Sequence, residues 1–351
     1  MSLYKGDKLT IEIYGESHAE KIGGKVSGMP ETIVDLKRLT EFTDRRKAGG
    51  GVFSTARTES DTPHFDGIKD GRINGDYSFY IKNENVRSGD YNALYGKPRP
   101  SHADYAWHLK DGALDFSGGG RFSGRLTAPL CIIGGICLQY LEKYGIKIAA
   151  YISQVGKIQG KSYKFCDILI DDIIKARQGF PSLTRKDEML NEIARAKADY
   201  DSVGGKIECV ISGLKGGVGD NLFGGIESKI SSLLYAIPAV KGVEFGLGFD
   251  FTHECGSNVN DGLYYDEGGC VKFSSNNSGG INGGISNGAP ITFSVAMRPT
   301  PSIGKEQSTI DLIEKKNVKI KIAGRHDACI LPRAVPCVES AAAIALTDIL
   351  G

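Results

Sequence analysis

Three of the six histidines stand in glycine- or turn-rich contexts beside an acid or an arginine: Gly15-Glu16-Ser17-His18, Arg99-Pro100-Ser101-His102-Ala103-Asp104 and Arg325-His326-Asp327. Histidine exchanges its proton most readily near neutral pH, so each is a candidate acid or base. A solvated or hydrogen-bonded histidine is the plainer reading of any one of them taken alone. A metal site is disfavoured, because none of the motifs offers an i,i+4 histidine pair or a cysteine pair, and His102 and His108 are poorly spaced on a helix. Arginines gather in the same segments: Arg45, Arg46 and Arg57 around Gly49-Gly50-Gly51, Arg99 before His102, Arg121 and Arg125 flanking Phe122-Ser123-Gly124, then Arg325 and Arg333. Surface ion pairing is the ordinary use of such residues. The run Ser117-Gly-Gly-Gly-Arg-Phe-Ser-Gly-Arg125, however, contains no acid, so its charge needs a partner from elsewhere. A multiply anionic small molecule would supply one, because arginine forks match carboxylate and phosphate, and glycine lets backbone amides approach an anion closely. No Gly-Lys-Ser/Thr follows, so the run is not a P-loop.

The elements that must hold these residues are mixed. β-branched runs predict strands at Lys8–Tyr14, Lys147–Ser153, Lys206–Ser212, Ile291–Met297 and Val318–Ala323. Helical periodicity predicts helices at Asp35–Arg46, Thr127–Tyr144, Arg185–Tyr200, Leu222–Ile237 and Val335–Leu350. The class is therefore α+β. No linker or internal repeat marks a boundary, which predicts one compact domain over residues 1–351. The glycine-rich stretches Lys47–Asp104, Ser117–Arg125 and Cys255–Asn287 read as long loops that carry the site.

Composition removes several alternatives. Forty-three Lys plus Arg against 42 Asp plus Glu give a formal charge of +1, which argues against a nucleic-acid or membrane-surface binder. Hydrophobic residues at 40% and charged residues at 24% exclude wholesale disorder. The eight cysteines include no C-x-x-C pair and read as reduced, mostly buried thiols. The N-terminal segment has no apolar signal core, and the apolar stretch Leu126–Leu138 is interrupted by Gly134 and Gly135, which predicts a cytoplasmic protein.

Taken in order, Gly15-Glu-Ser-His18, Asp44-Arg-Arg46, Arg87-Ser-Gly-Asp-Tyr91, Arg99-Pro-Ser-His-Ala-Asp-Tyr105, Ser117-Gly-Gly-Gly-Arg121, Asp201-Ser-Val-Gly-Gly205, Ile237-Pro-Ala-Val-Lys-Gly-Val-Glu244, Asn276-Asn277, Gly279-Gly-Ile-Asn-Gly-Gly-Ile-Ser-Asn-Gly288 and Gly324-Arg-His-Asp327 resemble the chorismate synthase family. The resemblance runs from about residue 8 to the C-terminus. It implies conversion of 5-enolpyruvylshikimate 3-phosphate to chorismate and phosphate, an anti-1,4 elimination of the shikimate pathway that needs reduced FMN (FMNH2) without net redox change. It also implies a β-α-β sandwich and a homotetramer, with no nucleic-acid or membrane partner.

By the same resemblance His18 protonates the departing phosphate, His102 protonates or holds the reduced flavin, and Asp327 relays the proton lost from the substrate. Arg46, Arg57, Arg125 and Arg333 match substrate contacts. Arg121, Phe122, Ser123, Ala239, Gly283, the turn Arg298-Pro299-Thr300-Pro301-Ser302 and Arg325 match the FMN-lining set, with Lys305 and Thr309 near the flavin phosphate. Five positions depart from the family pattern: Ala19, where Gly is usual, Gly124, where Ala is, and, bearing more on the site, Val52, where a basic residue is usual, Phe122, where Ser or Ala is, and Leu126, where Glu is. The last three motivate an alternative, a non-catalytic paralogue that binds flavin or a phosphometabolite. An added NAD(P)H-dependent flavin reductase activity (an NADP link) also stays open, although no G-x-G-x-x-G follows a predicted strand.

Overall fold

The computed structural model describes residues 1–16, 19–47, 61–83, 94–116, 118–164, 167–322 and 327–351. In chain order the elements are β1 (Ser2–Lys5), β2 (Thr10–Tyr14), β3 (Lys21–Ile33), α1 (Leu36–Asp44), β4 (Pro63–Asp66), β5 (Arg72–Lys82), α2 (Asp104–Asp111), α3 (Thr127–Glu142), β6 (Lys147–Val155), β7 (Ile158–Gln159), α4 (Ile170–Ala176) and α5 (Lys186–Ala198). They continue with β8 (Gly205–Ser212), α6 (Ile226–Tyr235), β9 (Val240–Phe245), α7 (Gly256–Val259), β10 (Leu263–Tyr265), β11 (Val271–Phe273), β12 (Ile281–Asn282), β13 (Ile285–Ser286), β14 (Ile291–Met297), β15 (Glu306–Asp311), β16 (Lys316–Lys321) and α8 (Leu331–Leu350).

Two five-stranded antiparallel sheets, in the orders β1-β2-β3-β5-β4 and β7-β6-β8-β14-β9, enclose a helical layer. Helix α3 packs on β3 of the first sheet, α8 packs on β6 and β8 of the second, and α3 and α8 pack on each other, flanked by α1 and α6. This is the β-α-β sandwich of the expected α+β class. The strand pattern has the period of two that a sheet imposes. In β6, Ile148, Ala150 and Ile152 join the main core, while Ala149 and Tyr151 face the other way and meet Ile173 of α4.

Helix α1 begins where Asp35 accepts from the backbone N–H groups of Lys37 (2.9 Å) and Arg38 (3.1 Å), satisfying two of the donors a helix start leaves open. Helix α8 is buried along almost its whole length, and its run Ala341-Ala342-Ala343 lets neighbours approach closely. Helix α3 with its preceding turn is long and apolar enough to cross a membrane by composition, but its apolar surface is buried between the sheets.

Several expectations need correction. The presumed loop Lys47–Asp104 contains β4 and the eleven-residue β5, and β3 lay in sequence with no strand prediction at all. Gly23, Gly24, Gly28 and Pro30 dilute the β signal of β3, which bends through two register shifts. Helix α8 begins four residues earlier than predicted, at Leu331, since Pro332 stands in its first turn, where proline needs no hydrogen-bond partner. The described cysteines are mostly buried, as expected, with Cys255 and Cys270 exposed.

Candidate active site

The arginines of the sequence motifs converge on one carboxylate that the motifs did not contain. Asp61 receives Arg46 Nη2 at 2.7 Å on one oxygen and Arg125 Nη1 on the other. All three residues are buried, at 3%, 6% and 5% relative exposure for Arg46, Arg125 and Asp61, so water does not screen the triad. Burial works to raise the Asp61 carboxyl, and the Arg46 and Arg125 guanidiniums outweigh it, holding it below the usual carboxylate range. Arg125 Nε donates to Asn83 Oδ1 at 3.0 Å. Arg46 leaves the end of α1, and its carbonyl accepts from Arg333 Nε of α8 at 3.0 Å. Arg333 Nη1 in turn pairs with Asp327 at 2.6 Å. Three guanidiniums against two carboxylates leave the cluster cationic. The partner from elsewhere that the acid-free run requires is thus found for Arg125 within the chain, at Asp61.

His102 belongs to a second cluster. Its Nδ1 lies 2.5 Å from Asp104 Oδ1, while Arg99 grips the same carboxylate through Nε (2.7 Å) and Nη2 (2.8 Å) and also donates to the Gly118 carbonyl at 2.6 Å. An ionised carboxylate only accepts, so His102 Nδ1 carries the hydrogen and Nε2 is left for proton exchange. Burial opposes ionisation of Asp104, but the bonds from Arg99 and His102 win and bring it down to about 2. His108, by contrast, bonds the Ala113 carbonyl at 2.9 Å at the end of α2.

The two clusters are tied by short elements. Trp107 of α2 stacks under the Arg121 guanidinium (4.7 Å) and takes the Phe122 ring edge-on (5.5 Å), and Ser123 Oγ accepts from the Arg125 amide at 3.2 Å. Phe122 therefore packs on Trp107 and does not fill the arginine cluster. Arg298 reaches from its turn to the Ser101 carbonyl at 2.6 Å, next to His102, and its amide donates to the Ala239 carbonyl at 3.0 Å. Thr300 and Pro301 carbonyls accept from Ser202 (2.7 Å) and Gln307 (3.3 Å), Ser302 is buried, and Pro299 abuts Gly204. Lys305 pairs with Asp199 and, at 3.0 Å, with Asp201, and Thr309 bonds the Pro98 carbonyl. The backbone bond from Val203 to Ala328 (2.9 Å) links this turn region to Asp327.

Asp61, Ser101 and Ala239 all hold left-handed backbone at φ 49°, 59° and 76°, a conformation that costs a non-glycine residue on the order of 1 kcal/mol and collects at functional sites. Gly283 sits with Gly284 in a two-residue hairpin turn whose bonds run to Ile226 and Gly219 and, among the described residues, not to the other site residues. His18, Arg57 and Arg325, together with Val52, lie outside the described residues. Asp61 and Asn83 went unnoticed in the sequence, where neither stands beside an arginine or histidine; Asp104 was visible in its motif but carried no assigned role.

Comparison with known proteins gives one answer. Residues 9–350 match the family model described as chorismate synthase. The chain is 39% identical to the chorismate synthase of Methanocaldococcus jannaschii, covering 98% of this chain and 95% of that protein, and 41% identical to that of Pyrococcus abyssi, covering 98% and 96%. A crystal structure of a chorismate synthase shares the fold at a TM-score of 0.76 and 24% identity, over 99% of this chain and 92% of that one. With motifs, fold and relatives in agreement from end to end, the chain belongs to the chorismate synthase family, carbon–oxygen lyases of the shikimate pathway.

Proposed function

We propose that the Arg46–Asp61–Arg125–Arg333 cluster is where 5-enolpyruvylshikimate 3-phosphate binds and loses phosphate, with Asp327 and His102 as the proton-handling groups. The observation that carries this reading is the cationic cluster itself, three arginines converging beside a carboxylate, Asp327, that is held by one of them. A substrate with two carboxylates and a phosphate has the charge to draw these guanidiniums from Asp61, and arginine forks accept each group bidentately. Phosphate leaves as the carbon–oxygen bond breaks, and ion pairing to Arg46 and Arg125 lowers the cost of the developing charge. Asp327 takes the proton lost from the ring carbon at the far end of the 1,4-elimination, not from the carbon next to the breaking carbon–oxygen bond. His18, from its motif, is proposed as the acid that protonates the leaving phosphate.

The residues present fit FMN. Buried Thr300 Oγ1 has no partner among the described residues, His102 Nε2 is free of the Asp104 bond, and Arg121, Ser123, Ala239 and the Arg298–Ser302 turn supply polar edges beside aromatic surface. These residues, with Arg325, Lys305 and Thr309, would hold it. When bound, reduced FMN supplies the electron density that helps the carbon–oxygen bond break. His102, fixed by Asp104 through Nδ1, would use Nε2 for proton exchange there. We further propose one folding unit over 1–351, a cytoplasmic location and a homotetramer, the last supported by the exposed Leu263, Tyr264, Tyr265 and Val271 of the β10–β11 hairpin.

The test is anaerobic turnover of 5-enolpyruvylshikimate 3-phosphate with chemically reduced FMN, following phosphate and chorismate, with oxidised FMN as control. His102→Ala and Asp327→Ala are each expected to lower kcat by about 10²- to 10⁴-fold. Wild-type rates in either variant would remove that residue's role. No product from folded, FMN-binding protein would overturn the reading in favour of a non-catalytic paralogue.

A further inference from the structure

A second cationic site centres on Glu339 of α8, six residues past Arg333. A cavity of about 470 Å³, within the range of small-ligand pockets, opens between α1, α3, β6 and α4. Arg45 and Arg177 line it and converge on Glu339, whose side chain is fully buried. Glu339 accepts from Arg45 Nη1 at 2.6 Å, Arg177 Nη2 at 2.9 Å and the Ala150 amide at 2.8 Å. Two guanidiniums therefore share one carboxylate and leave one positive charge. Arg177 Nε is buried and has no hydrogen-bond partner among the described residues, so the cluster's interaction with a ligand falls to the partly exposed parts of the Arg45 and Arg177 side chains.

The rest of the lining is apolar wall and polar rim, the latter including Glu41, Gln139 and Lys147, which pairs with Asp171 at 3.2 Å. Phe42, Leu138, Ile146, Ile148 and Ile174 form apolar wall. Arg38 Nη2 donates to both oxygens of Glu142, at 2.7 and 2.9 Å, on half-exposed side chains from α1 and α3. None of these residues belongs to the site described above, although Arg45 adjoins Arg46 in sequence. A purely hydrated groove needs no buried guanidinium pair, and a purely apolar ligand would leave the surplus charge unmet.

We propose that this cavity binds a small monoanion with an apolar body, an aryl or branched-alkyl carboxylate, its carboxylate meeting Arg45 and Arg177 and its body lying on Phe42, Leu138 and Ile174. The inference is independent of the reaction assigned to the first site. Isothermal titration calorimetry of the full chain with phenylacetate tests it, with acetate, inorganic phosphate and benzyl alcohol as partial mimics. One saturable site per chain is expected for phenylacetate, with each mimic at least about tenfold weaker. Arg177→Gln and, separately, Leu138→Glu should each weaken phenylacetate by about tenfold or more. Leu138 is half-buried and has no part in the Glu339 ion pairs, so a cooperative melt in Leu138→Glu keeps the test valid even where Arg177→Gln unfolds. Absence of saturable binding, a mimic binding as tightly as phenylacetate, or unchanged affinity in folded Leu138→Glu would each overturn the proposal.

Discussion

At the residue scale, the buried triad of Arg46, Asp61 and Arg125 carries the largest electrostatic stake. Removing the shared carboxylate leaves two guanidiniums facing each other away from water, and breaking a buried pair in this way costs about 3 to 5 kcal/mol. Asp61→Ala is accordingly expected to lose that much in urea denaturation. Inorganic phosphate should raise its Tm more than it raises the wild type's, because the anion replaces the missing charge; an equal rise would show that the arginines do not face an anion site. Asp104 makes a second prediction through pH. Its carboxyl sits at about 2 when folded against an ordinary value near ~3.9 unfolded, so below pH ~4 the unfolded chain takes up the proton first. The resulting stabilisation, about 1 to 2 kcal/mol after allowing for partial solvation, is complete above that pH and is lost as pH falls towards 2. Stability of the wild type minus that of Asp104→Asn, measured by urea at pH 6 and pH 3, should shrink by about half this amount, the rest going between pH 3 and the folded value. The His102–Asp104 pair was legible because both partners stand in one short motif. Asp61 was not, because ion pairs between distant segments leave no periodic trace in a sequence.

At the element scale, helices α3 and α8 meet where Gly134 faces Ser340. A methyl group at Gly134 would lie 2.1 Å from Ser340 Cβ and 2.4 Å from its Cα, too close for either helix to keep its place. Gly134→Ala should lower stability by about 1 to 3 kcal/mol with the urea m-value unchanged, and Ser340→Gly in the same chain should recover part of that loss. Additive losses would mean that the helices shift freely at this point. The long helices and the buried strands β6, β8 and β14 were readable from hydrophobic period and β-branched runs. Strands β3 and β5 were not, since glycines at 23, 24, 28 and 75 interrupt their runs and pairing with each other decides their conformation.

At the scale of the whole molecule, Asp348 near the end of α8 fastens the turn between β1 and β2. Its carboxylate accepts the backbone N–H groups of Asp7 (3.0 Å), Lys8 (2.9 Å) and Leu9 (2.8 Å) and pairs with Lys229 of α6 at 3.2 Å. Burial would raise this carboxyl, and those amides with Lys229 hold it down. Asp348→Ala should cost about 3 kcal/mol in urea denaturation, and hydrogen exchange should quicken first at the amides of residues 7–9. Unchanged protection there would show that the turn is held by other means. The central place of α8 also bears on how the protein is made. The ribosome delivers α8 after every element it packs against, so the nascent chain carries α3 and the inner face of β6 and β8 with apolar surface uncovered until α8 has emerged. Completion of the core therefore waits on the element made last among those that form it.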